Sequence, residues 1–195
     1  MVSFGNPSPH FLFLLGSTRA QGNTELLARR AAQTLPATAR QEWVALSELT
    51  LPPFADYRHG EQRFGELEGG MKLLYEKTIA ATDLVFVVPT YWYSLPWPAK
   101  LYLDHWTTWL RGPTLGFRQR MVGKRLWAVT VNSDEGVWAS QPVLDSLRLT
   151  AEYMEMEWQG ALVGHGSRPG DVLEDHVALA ARCSEISPRM ASPTR

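Results

Sequence analysis

Short apolar runs alternate with stretches of helical period along this chain, and that alternation limits the possible folds more than any other feature. The first run, Phe11-Leu12-Phe13-Leu14-Leu15, is closed by Gly16. It is too short for a helix and apolar on both faces, as a central strand of a parallel sheet must be. From Thr24 the period changes: Leu27, Ala31 and Leu35 share one helical face, Arg29, Arg30 and Gln33 lie off it, and Pro36 ends the segment. A second strand is expected at Trp43 to Leu46, and a helix through Met71, Leu74 and Thr78 after Gly69-Gly70. Asp83 then introduces the third strand, Leu84 to Val88, ended by Pro89. A helix is expected from Pro98 to Leu110, with the proline in its first turn. A fourth strand follows at Leu126 to Val131, a helix through Val143, Leu147, Ala151 and Met154, and a fifth strand at Trp158 to Val163. A last helical stripe runs through Val172, His176, Ala180 and Cys183. Strand and helix alternating five times implies βαβ units, hence an α/β three-layer sandwich with a five-stranded parallel sheet.

Five strands in 195 residues is the size of a flavodoxin-like doubly wound fold. In such sheets ligands bind outside the carboxyl ends of the strands, which directs attention to the loops after strands one, three and four. Hydrophobic residues at 45% and charged residues at 20% suit one packed domain. It is expected to span 10–186, between Ser- and Pro-containing flexible tails at 1–9 and 187–195. Nineteen basic against twenty acidic residues leave a formal charge of -1, too balanced for a general nucleic-acid binder. One cysteine, Cys183, supplies neither a disulfide nor an iron–sulfur or zinc cluster, which fits a cytoplasmic protein. The Phe11 to Leu15 run is too short to cross a bilayer, so no membrane span is expected.

The loop after strand one reads Gly16-Ser17-Thr18-Arg19-Ala20-Gln21-Gly22-Asn23-Thr24 and runs into a helix N-terminus. First-turn N–H groups lack intrahelical partners and the helix dipole is positive there, so a phosphate is well placed. The hydroxyls of Ser17, Thr18 and Thr24, the Asn23 amide and the Arg19 guanidinium can meet its oxygens. No Gly-Lys-Ser/Thr follows and the spacing is not Gly-x-Gly-x-x-Gly, which argues against nucleoside triphosphate hydrolysis. The competing reading is a plain polar turn in which Asn23 or Thr24 caps the helix. After strand three, Pro89-Thr90-Tyr91-Trp92-Tyr93-Ser94-Leu95-Pro96-Trp97-Pro98 concentrates four aromatics and three prolines where loops are normally polar. Stiff backbone and flat rings suit a slot for a planar ligand. The rings can equally pack against the domain or a partner subunit, the role expected of Trp97 and, beside it, of Trp92.

These two loops together resemble the NADPH-dependent FMN reductase and NAD(P)H:quinone oxidoreductase branch of the flavodoxin-like flavoproteins. Gly16-Ser17-Thr18-Arg19 with Gly22-Asn23-Thr24 resembles the family loop that binds the FMN phosphate. Pro89-x-Tyr91 with Pro96, Lys100 and Asp104 resembles its signature around the isoalloxazine. The resemblance implies an enzyme holding FMN non-covalently, taking hydride from NAD(P)H at flavin N5 and passing electrons to a small-molecule acceptor such as a quinone, a free flavin or an azo compound. It assigns phosphate contacts to Ser17, Thr18, Arg19, Asn23 and Thr24, ring contacts to Pro89, Thr90, Tyr91, Trp92 and Tyr93, and the far side of the ring to Asn132, Ser133, Asp134 and Gly136. No side chain need be an obligatory acid or base. Two departures stand out: His105 where relatives often carry Arg, and Asn132-Ser133-Asp134-Glu135-Gly136 where they often have a Gly-rich loop.

Lys100 and Asp104 are spaced for a helix-surface ion pair. The Pro98 to Leu110 helix is apolar nearly all round, which leads to the expectation of a homodimer covering its outer face. Arg111, Arg118, Arg120, Lys124 and Arg125, with no acidic residue between them, form either a site for NADPH phosphates or a solvated basic loop. The alternative functions are an electron carrier of the same fold, against which the near-neutral charge speaks, and a flavin-free binding domain.

Overall fold

The computed structural model describes residues 8–59, 64–112, 116–133 and 136–180. Its five strands are β1 (His10–Leu15), β2 (Arg40–Ala45), β3 (Asp83–Val87), β4 (Arg125–Asn132) and β5 (Glu157–His165). They form one sheet in the order β2-β1-β3-β4-β5, every pair parallel. The helices are α1 (Asn23–Ala32), α2 (Gly69–Ala80), α3 (Trp97–Arg111), α4 (Phe117–Met121), α5 (Gln141–Tyr153) and α6 (His176–Ala180).

The alternation of side chains along each strand builds two cores from single apolar runs. Leu12, Leu14, Leu84, Phe86, Leu126 and Ala128 face one side with Leu74, Tyr102 and Leu147 from α2, α3 and α5. Phe11, Phe13, Val85, Val87, Val129 and Val131 face the other with Leu27, Ala28 and Ala178 from α1 and α6. That is the expected three-layer sandwich, with the strand order reversing between β1 and β3.

Three elements differ from their expected form. β2 begins three residues earlier than the apolar pattern indicates, because an edge strand tolerates the polar Arg40-Gln41-Glu42 that a central strand would exclude. The last stripe does not form one helix: a 3-10 turn, Asp171–Glu174, precedes α6. The break falls at Asp175, whose carboxylate accepts the Ala178 N–H at 3.0 Å and so caps α6. Cys183, the tails at 1–7 and 187–195, and the domain boundary at 186 lie outside the described residues. The short α4 inside the basic segment had no periodic signal and buries Phe117 and Met121.

Candidate functional site

The carboxyl ends of β1 and β3 meet where the sheet order reverses. Gly16 is what allows it: a Cβ there would lie 2.8 Å from Val88 Cγ1 and 3.0 Å from the Ala99 Cβ, and its N–H donates to Val87 O at 2.9 Å. The loop from Ser17 to Gly22 is pre-shaped by local bonds. Arg19 N donates to Ser17 Oγ at 3.0 Å, which leaves the Ser17 hydroxyl hydrogen free to donate outward. Gln21 N donates to Glu25 Oε2 at 2.8 Å, and Glu25 pairs with Arg29 at 2.7 Å. The N–H groups of Asn23, Thr24 and Glu25 open α1 without intrahelical acceptors. Thr18 and Arg19 are exposed, whereas Thr24 is buried.

Asn23 does something the sequence did not indicate. Its Nδ2 donates to Arg168 O at 2.8 Å and its Oδ1 accepts from Gly170 N at 2.8 Å, so its carboxamide ties the loop after β5 to the start of α1. One Nδ2 hydrogen remains for a ligand. Asp171 braces the same loop by accepting from Ser167 N at 3.0 Å and Arg168 N at 2.6 Å. Gly166 is needed there, since a Cβ would meet Asn23 Nδ2 at 2.7 Å. The polar residues 165–171 carried no signal because their contact partner is remote in sequence.

After β3, Tyr91 and Ser94 exchange backbone hydrogen bonds at 3.2 and 3.0 Å around a two-residue turn. Trp92 and Tyr93 both lie in the left-handed region, with φ of 50° and 59°. Non-glycine residues there cost about 1 kcal/mol each, strain of the kind that collects at functional sites. Trp92 is 94% exposed at the tip, and Tyr91 and Tyr93 are about half exposed. Trp97, expected to pack against the domain or a partner subunit, is 60% exposed on the single chain, whereas Leu95, Pro96 and Pro98 of this stretch turn inward.

The end of β4 completes the site. Asn132 is buried and its Nδ2 donates to Ser140 Oγ at 2.8 Å. Ser140 and Thr90 Oγ1 are 2.9 Å apart, and Thr90 lies 3.2 Å from Thr130. Among the described residues, Asn132 Oδ1 is buried with no hydrogen-bond partner. A buried acceptor left unmatched is costly unless a ligand supplies the donor, and the ring N–H of a flavin is such a donor. With the anion-ready start of α1 and the close approach at Gly16, the residues present fit FMN. Ser133 is exposed and Gly136 adopts a positive φ of 97°; Asp134 lies outside the described residues.

The basic segment does not join this site. Arg125 and Asn132 stand at opposite ends of β4, roughly 23 Å apart at strand rise. Arg125 chelates the fully buried Asp83 with two 2.7 Å bonds, which raises the guanidinium pKa. Lys124 donates to Ile79 O at 2.9 Å and to Ala81 O, and burial lowers its pKa. Arg118 pairs with Glu155 at 3.1 Å. Arg118, Lys124 and Arg125 thus hold structural partners towards the amino edge of the sheet, away from the carboxyl-edge crevice. Lys100 and Asp104 form the expected ion pair at 2.5 Å. His105 Nε2 donates to Pro52 O at 2.8 Å, and the ring meets Phe54 edge-on. The chain's own segment after β2 thereby covers part of the α3 face that was expected to need a partner.

Comparison with known proteins agrees with this geometry. The model of the NADPH-dependent FMN reductase family matches residues 9–165. YwqN of Bacillus subtilis (strain 168), by assignment an NAD(P)H-dependent FMN-containing oxidoreductase, is 32% identical over 167 residues, covering 85% of this chain and 90% of that protein. Among solved structures, the Trp repressor binding protein from Bacillus subtilis superposes with a TM-score of 0.70 at 27% identity, covering 92% of this chain and 98% of that one. An FMN-dependent NADH-azoreductase from Bacillus anthracis, in complex with FMN, shares the fold at a TM-score of 0.57 and 12% identity, over 89% of this chain and 95% of its own. A match running from the start of β1 to the end of β5 takes in the loops after β1, β3 and β4, and the chain belongs to the NADPH-dependent FMN reductase family.

Proposed function

We propose that the crevice outside β1, β3 and β4 holds FMN non-covalently and that the protein moves electrons from NAD(P)H to a small-molecule acceptor such as a quinone, a free flavin or an azo compound. The observation that carries this is the pairing, at one edge of the sheet, of an anion-ready helix start with the orphaned buried Oδ1 of Asn132. FMN, when bound, supplies the redox chemistry, accepting a hydride from the nicotinamide and passing two electrons onward.

The protein's residues bind and orient. The Ser17 hydroxyl, the first N–H groups of α1 and the exposed Arg19 meet the phosphate, with Thr18 and Thr24 beside them and the spare Nδ2 hydrogen of Asn23 adding a donor. The backbone from Pro89 to Tyr93, stiffened by the Tyr91–Ser94 turn, borders the ring. Asn132, Ser133 and Gly136 border it from the other side.

No helix of the described residues is long and apolar enough to cross a membrane. We place the protein in the cytoplasm, whose reducing conditions its single cysteine fits. We also propose a homodimer formed through a groove of about 300 Å³ between α3 and α5, lined by Leu103, Trp106, Leu110, Leu149, Tyr153 and Met154. Leu149 and Tyr153 are more than half exposed, and a second copy would cover both.

The deciding experiment is a visible spectrum of the purified protein followed by anaerobic NADPH. A flavin band that bleaches supports the reading. A colourless protein that takes up no added FMN overturns it, and a flavin that stays oxidised points to an electron carrier served by a separate reductase.

A further inference from the structure

The carboxyl edge also carries an aromatic surface that holding the cofactor does not require. Trp138, in the loop after β4, is 61% exposed, and Tyr93, in the loop after β3, is 49% exposed. Their rings lie 5.9 Å apart, tilted by 31°, so two loops present one continuous apolar surface. Such rings are normally turned inward or left to move, and these are held in place. Trp138 opens a 3-10 turn, Trp138–Ser140, whose last residue is fully buried and bonded to both Asn132 and Thr90. Gly136, at φ 97°, takes a backbone conformation that favours glycine and turns the chain just before the indole. Tyr93 is fixed by the Tyr91–Ser94 turn. The hydroxyl network that presents Asn132 Oδ1 to the proposed flavin thus also sets the indole beside it.

Resting on the flavin reading above, we propose that Trp138, supported by Tyr93, is a specificity-determining residue on which a planar aromatic electron acceptor stacks. An exposed, rigid pair of ring faces favours flat aromatic molecules, because offset stacking rewards a second π-face and little ordering entropy is lost. A compact inorganic oxidant gains nothing from it. The shelf therefore sorts acceptors by shape, independently of how the nicotinamide binds.

The test uses the FMN-loaded protein with Trp138→Leu, which keeps apolar bulk, and Trp138→Phe, which keeps a ring. Binding of redox-inert naphthalene-2-carboxamide is measured by equilibrium dialysis, and KM is measured for 1,4-naphthoquinone and for ferricyanide with NADPH as donor. The expected result is that Trp138→Leu weakens the carboxamide and raises the naphthoquinone KM by about three- to tenfold, that Trp138→Phe stays near the parent, and that the ferricyanide KM changes by less than about twofold. Equal shifts for both acceptors, no shift for either, or a Trp138→Leu protein whose mass in solution halves would overturn the proposal, the last by making the surface a subunit contact. If the protein takes up no FMN, the flavin reading has failed, and the dialysis still decides for or against the shelf.

Discussion

A single methyl group on Gly16 would collide with Val88 and Ala99, so the bend that brings the proposed phosphate loop over the end of β3 depends on a hydrogen atom. Gly16→Val is expected to lose FMN retention at least about tenfold and to lower stability by about 2 kcal/mol, read by FMN fluorescence and thermal melting. Asn132→Ala tests the orphaned oxygen: FMN affinity should fall by about tenfold, a loss near 1.4 kcal/mol, with the fold intact. Tyr102 illustrates a purely structural polar group. Thr78 Oγ1 donates to Leu74 O at 2.6 Å and so accepts from Tyr102 OH at 2.7 Å, while burial drives the phenol pKa upward. Tyr102→Phe should cost about 1 kcal/mol in denaturant unfolding and leave FMN binding alone. Of the proposed site residues, Ser17 and Arg19 drew notice because a loop between an apolar run and a helix start is a local pattern. Ser140, Trp138 and Arg168 were not, since their importance comes from partners brought near only by the sheet.

Among the elements, the central strands announced themselves because burial on both faces demands unbroken apolar runs, as in β1 and β3. Edge strand β2 was half hidden for the opposite reason. Its polar start is put to use: Glu42 bridges β2 to α2 through Lys77 at 2.6 Å and lies 3.2 Å from His10 on β1. The Lys77 hydrogen bond is the leading cause that lowers the Glu42 pKa. A carboxylate whose pKa is lower in the folded state adds stability above its unfolded value, near 4.5, and loses it as the pH falls through the folded value. Glu42→Gln should accordingly cost about 1 kcal/mol at neutral pH and remove part of the acid sensitivity seen between parent melts at pH 7 and at pH 3. The basic stretch before β4 was left open for a related reason: a run of cations looks the same whether it faces a ligand or, as for Lys124 and Arg125, ties off carbonyl groups and the buried Asp83 at the sheet's amino edge.

At the scale of the whole molecule, the proposed dimer predicts that Tyr153→Lys, in the exposed wall of the α3–α5 groove, shifts the mass measured by light scattering from two chains to one. A parent protein that is already a monomer at micromolar concentration would remove the idea. The Asn23 tether has a consequence of a different kind, in time. It joins the start of α1 to Arg168, a separation of 145 residues, so the first loop of the domain is finished by one of its last. During synthesis the Ser17 to Thr24 segment leaves the ribosome early, yet its scaffold stays open until β5 has emerged and taken its place at the sheet edge. On the proposed reading, flavin capture then belongs to the completed chain, and a nascent chain stalled before β5 would carry the whole proposed phosphate motif and retain no cofactor.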